Sequence, residues 1–126
     1  MKKLIKIALL ILGLIFVSMY LNKPKLTKEQ QNNVAIQVYK NYDVQEIEFV
    51  DFDKNLSTGS YELVLKLNND ENKETIITIR EMEFFDESEG ELSLNPLGRF
   101  KDLKRKEIIT GEVNLSSIKI KYLGEK

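Results

Sequence analysis

The sequence predicts an α+β fold: a transmembrane helix, then one amphipathic helix packed on a curved antiparallel meander of four to six strands. Three observations carry that prediction. Uncharged residues run unbroken from Ile7 to Leu21 behind three lysines. Between Lys28 and Asn41 apolar residues recur at helical spacing, and beyond Val44 the apolar period falls to two. A helix followed by strands with short loops implies a meander carrying the helix on one face, the plan of cystatin-like domains. The predicted division is 1–22 signal anchor, 23–26 short tether and 27–126 extracytoplasmic domain.

The N-terminal segment comes first. A helix from Leu4 to Leu21 would be about 27 Å long, close to the ~30 Å hydrocarbon core of a bilayer. Lys6 can reach back to the headgroups, and Tyr20 suits the far interface. A cleaved signal peptide needs small residues at an A-x-A-like site, whereas here only Ser18 is small and Phe16 lies two before it. A buried helix of a soluble protein would not be apolar around its whole circumference behind a basic front end. Lipid attachment needs a cysteine, and the chain has none. The segment therefore reads as a retained span. Lys2, Lys3 and Lys6 outnumber Lys23 and Lys25, which predicts a single-pass cell-membrane protein with its N-terminus cytoplasmic and its domain outside.

Lys23-Pro24-Lys25 forms the tether. Thr27 is placed to cap a helix, with Gln30 completing a capping box. Val34, Ala35, Val38, Tyr39 and Tyr42 make its apolar face, opposite Lys28, Glu29, Asn32, Asn33 and Lys40, while Ile36 falls off the stripe. In the run from Val44 to Asp53, Ile47 and Phe49 point one way and Val50 and Phe52 the other, a phase slip that predicts a β-bulge. After a turn at Asn55 to Ser60, Tyr61, Leu63, Leu65 and Leu67 alternate as the clearest strand. The polar loop Asn68 to Asn72 leads into a partner strand from Glu74 to Phe84. Its two sides are Ile76, Thr78, Arg80, Met82 and Phe84 against Ile77 and Ile79. Leu92 to Leu94 suggests a short strand, Asn95 to Gly98 a turn, and Arg99 to Lys106 a short helix or connection anchored by Phe100 and Leu103. Ile108 and Ile109 begin another strand, and Ser117 to Leu123 the last.

Composition narrows function. Removing the first 22 residues leaves sixteen basic residues against twenty acidic ones, a charge of −4. A mildly acidic domain does not match nucleic acid, which selects basic stripes. The chain has no histidine, so its serines lack the usual base, and none sits in a G-x-S-x-G elbow. Gly59, Gly90 and Gly98 are isolated and form no phosphate loop. No residue set points to a cofactor or to catalysis.

The densest charge lies in the loop FFDESEGE and the residues before it: Glu81, Glu83, Asp86, Glu87, Glu89 and Glu91. Counted from Asp86 as an EF-hand loop, the position requiring glutamate is Leu97, so that motif fails. A solvated loop, an irregular weak cation site and an electrostatic contact for a basic protein partner remain. Glu83, Asp86, Glu87, Glu89 and Glu91 are the candidate partner-binding residues. Arg99, Lys101, Lys104, Arg105 and Lys106 supply a basic counterpart, as a solvated face, an intramolecular partner or an attraction for anionic envelope polymers or lipid headgroups near the tether.

The lysine-flanked span, the helix containing Glu29, Gln30 and Gln31, its end at Tyr39 and Tyr42, and the following strands with an Asn-Asn-Asp hairpin together form a plan. In it the chain resembles small membrane-anchored, lipoprotein-like exported proteins of Gram-positive bacteria, among them the TipC-type immunity proteins against type VII secretion toxins. The resemblance implies a tethered, non-enzymatic binding protein that covers a toxin outside the membrane. The alternative is an accessory subunit docked on a cell-envelope complex, with the membrane span as part of the interface.

Overall fold

The computed structural model describes residues 24–124. The predicted membrane span at residues 4–21 lies outside them. Among the described residues, no helix is long and apolar enough to cross a membrane. Among the described residues the architecture is α+β, with one α-helix and a four-stranded mixed sheet.

Helix α1 spans Lys28–Asn41. Thr27 Oγ1 accepts from the Gln30 amide at 3.1 Å, and Gln30 Oε1 accepts from the Thr27 amide at 3.0 Å. This is the predicted capping box, worth about 1 kcal/mol. Leu26, just before the cap, is buried, and its carbonyl accepts from Gln31 Nε2 at 3.0 Å. The tether is thus tied to the domain two residues ahead of the helix.

Strands β1 (Glu46–Lys54), β2 (Tyr61–Leu67) and β3 (Glu74–Ile79) pair antiparallel in sequence, as the alternation predicts. The bulge is present too, between Phe49 and Asp51. It pushes Val50 outward and returns Phe52 to the face of Ile47 and Phe49, so all three are buried. Leu63, Leu65 and Leu67 of β2 join them, and Val34, Ala35 and Val38 of α1 share the same core. On the outer face Lys121, Glu48, Lys66 and Glu74 stand abreast across four strands in alternating sign. That face is polar and solvated, and such exposed pairs contribute little each.

The sheet is not a pure meander. Strand β4 (Lys119–Lys121) runs parallel to β1 at the far edge, giving the order β3-β2-β1-β4. The segment from Arg80 to Ile118 is long enough to pass around α1 and return in that sense, which a tight turn could not do.

That segment holds most of the departures from expectation. β3 ends at Ile79, and Met82–Asp86 coils into a 3-10 turn that buries Phe85 instead of continuing the strand through Phe84. Among the described residues, Leu92 to Leu94 pairs with no strand. Its amides go to helix-end side chains, Leu92 N to Asn41 Oδ1 at 3.2 Å and Leu94 N to Tyr42 Oη at 2.9 Å. Ile108 and Ile109 are likewise no strand, because the Ile109 amide donates to the Lys40 carbonyl at 3.0 Å. This second cover explains why Lys40, expected on the solvent face, is buried. Arg99 to Lys106 forms turns, with Phe100 fully buried against Tyr42 and a single bridge between Tyr42 and Lys104.

One ion pair latches this segment to the hairpin. Lys73 Nζ donates to Asp102 Oδ1 at 2.8 Å and to the Arg99 carbonyl. The hydrogen bond from Lys73 holds the Asp102 carboxyl below its usual range. A depressed folded-state value stabilises the protein above the ordinary carboxylate range, and the contribution fades as pH falls through the folded value. Asp102→Asn should therefore lower stability slightly near neutrality, flatten the acid side of the profile and converge with the wild type at low pH. Urea midpoints measured from neutral pH downward would check this; an unchanged acid slope would refute it. The group is exposed, so the effect is small.

Candidate functional site

The helix carries a second stripe beside its apolar one. Gln30, Asn33, Gln37 and Asn41 recur at spacings of three or four, so their amides line one face. Each meets the segment after β3. Gln30 Nε2 donates to Asp86 Oδ1 at 3.3 Å, and Asn33 Nδ2 donates to the Phe85 carbonyl at 3.0 Å. Gln37 Nε2 donates to the Glu89 carbonyl at 3.0 Å, and Asn41 Nδ2 to the Gly90 carbonyl at 3.2 Å. The acidic loop is thereby laid along the helix from its first turn to its last, a distance of about 17 Å.

Three of these bonds engage the loop's backbone, and the fourth takes one oxygen of Asp86. Glu83, Asp86, Glu87, Glu89 and Glu91 are all exposed. Among the described residues none forms an ion pair, and only Asp86 accepts a side-chain hydrogen bond. Phe85, fully buried, pins the middle of the 3-10 turn into the core against Phe52, with ring centroids 5.5 Å apart. A loop fixed from beneath in this way offers fixed negative charge at little further ordering cost.

Among the described residues the expected basic counterpart forms no ion pair with it. Arg105 is engaged elsewhere: its Nε donates to the Tyr39 carbonyl at 2.8 Å and its guanidinium lies 4.7 Å from the Tyr39 ring centre. Arg99 donates to the Glu74 carbonyl at 2.9 Å. Among the described residues no group of three or more acids is drawn together tightly enough to hold a metal ion. The strip is a line of separate charges.

The acids are legible in the sequence, but what holds them is not: Asn33, on the face the helix pattern assigns to solvent, is half-buried, and Gln30 bonds the loop as well as capping the helix. The available signal was the amide spacing itself.

A scan against protein-family models finds no match, and comparisons with the curated proteins and with the solved structures find none either.

Proposed function

We propose that this chain is a membrane-tethered binding module whose domain lies outside the membrane and neutralises a secreted protein by covering its surface, as an immunity protein or inhibitor does. The observation that carries this reading is the acidic strip, whose backbone is clamped to α1 while its exposed carboxylates form no ion pair among the described residues. Such a strip suits a basic patch on the partner and would speed encounter by electrostatic attraction. The apolar span after Lys2, Lys3 and Lys6 supports the tether, and the lack of histidine and cysteine agrees with a role that needs no catalysis.

The test is surface crosslinking of the full-length protein in its own cells, followed by direct binding measurements on whatever partner is trapped. Glu83→Gln, Asp86→Asn, Glu87→Gln, Glu89→Gln and Glu91→Gln combined should slow association by tenfold or more at low salt. The wild-type rate should itself fall as salt rises. Equal association rates, or a wild-type rate indifferent to salt, would remove the strip from the interface.

A further inference from the structure

The two edges of the sheet are treated differently. β4 is only three residues long and carries Lys119 and Lys121, both common protections against unwanted strand pairing. β3 has six residues, no proline, no lysine and no bulge, and Ile76 at its centre is 52% exposed. The segment Leu92 to Asn95 passes beside it without pairing: the contact nearest the edge is Thr75 Oγ1 to the Asn95 carbonyl, and an open cleft of about 340 Å3 separates the two.

The edge also has a direction. Arg99 Nη1 reaches the Glu74 carbonyl from outside the sheet, so Glu74 turns its backbone groups away from β2. Ile76 and Thr78, at the same parity, turn theirs the same way. Among the described residues, neither is joined by backbone hydrogen bonds to any segment beyond its own sheet partner.

We infer that this edge pairs antiparallel with the same edge of a second copy of the chain. The register is set by charge. With Ile77 facing its own copy across the two-fold axis, Ile76 lies opposite the second copy's Thr78. Glu74 then lies opposite the second copy's Arg80, once the exposed Arg99 side chain gives up the Glu74 carbonyl, and the symmetry makes both contacts twice. Glu74 and Arg80 are exposed, and neither side chain forms an ion pair among the described residues. Opposite charges directly across a strand pair favour one register over its neighbours. Two outward residues per strand exchange about four backbone hydrogen bonds, and the sheets join into one of eight strands. The seam also covers the exposed Ile76. Six residues a side is far below the ~20–30 of a standard interface, so the pairing is of the weak, reversible kind. It lies on the sheet edge, apart from the acidic strip, and does not depend on how the strip is used.

Because the chain contains no cysteine, introduced thiols report without background. Full-length Ile76→Cys and Thr78→Cys proteins are prepared separately, mixed and mildly oxidised. In this register the two thiols sit on residues about 5.5 Å apart at Cα, within disulfide range. Two copies of position 76 are offset along the strands to roughly 8–9 Å, outside that range. The mixed disulfide should therefore dominate both homodimers. Adding Glu74→Arg to both proteins should lower its yield by about twofold to fivefold, and further adding Arg80→Glu should restore it. Both thiol positions are exposed, so the core is left intact. Mixed product no greater than the homodimer of a Leu56→Cys control would overturn the pairing. A dominant Ile76→Cys homodimer would overturn the register and the charge argument with it.

Discussion

Phe85→Ala should destabilise the domain by about 3–5 kcal/mol, the range for emptying a fully buried aromatic site. The side chain has no exposed surface. Its ring meets Phe52 edge to face at 5.5 Å and Phe84 at 5.6 Å, so removal leaves aromatic neighbours on two sides without a partner. A domain of this size has roughly 5–15 kcal/mol in total, so the variant should sit close to unfolding at physiological temperature. Phe84, only half-buried, should cost clearly less when truncated. Urea melts of the two variants side by side provide the measurement. A loss below about 1 kcal/mol for Phe85→Ala would mean that the Met82–Asp86 turn does not belong to the core.

Asn41→Ala should be the next largest, at about 2–4 kcal/mol, through a different mechanism. Asn41 is 2% exposed and joins three backbone groups. Its Nδ2 donates to Gln37 O at 2.8 Å and Gly90 O at 3.2 Å, while its Oδ1 accepts from Leu92 N at 3.2 Å. Alanine leaves the Leu92 amide buried without an acceptor, and that unmet donor is the larger part of the cost. The Gly90 carbonyl lies on an exposed residue and can turn to water. The damage should be local before it is global: hydrogen exchange at Leu92 should accelerate well beyond that of the β2 amides. Uniform acceleration would contradict the clamp. This variant also keeps every carboxylate of the strip. If partner binding falls with it, the strip must be held in place as well as charged; if binding is untouched, charge alone is what the partner reads.

How much of this could be read from residues depends on the range of the interactions involved. Thr27 and Gln30 are three apart, and their mutual bonds need nothing but a helix between them, so the start of α1 was predictable to the residue. Leu63, Leu65 and Leu67 alternate because one face of β2 is buried, and that periodicity survives in any sheet. The shift from Phe49 to Phe52 betrayed the bulge for the same reason: an odd-to-even change of apolar parity within a strand has a local cause. The acids of the strip were visible as composition, and their exposure followed from charge.

The segment from Arg80 to Ile118 resisted because its backbone is satisfied at long range. Leu92 to Leu94 alternates like a strand, but its amides are taken by Asn41 and Tyr42, about fifty residues earlier in the chain. No local pattern distinguishes an amide bound by a side chain from one bound by a neighbouring strand. Phe84 and Phe85 stand next to each other, and which ring enters the core depends on where β3 stops and the 3-10 turn begins.

The helix, its cap, the first three strands and the line of carboxylates are legible in the residues, because each rests on a period or a contact within a few residues. Three features come from packing alone: β4 returns parallel to β1, the amides of α1 hold the acidic loop by its backbone, and Ile76 and Thr78 of β3 are left without a further strand among the described residues. Those three depend on where a long connection settles, and that is governed by hydrogen bonds between residues far apart in the chain, which leave no periodic trace along it.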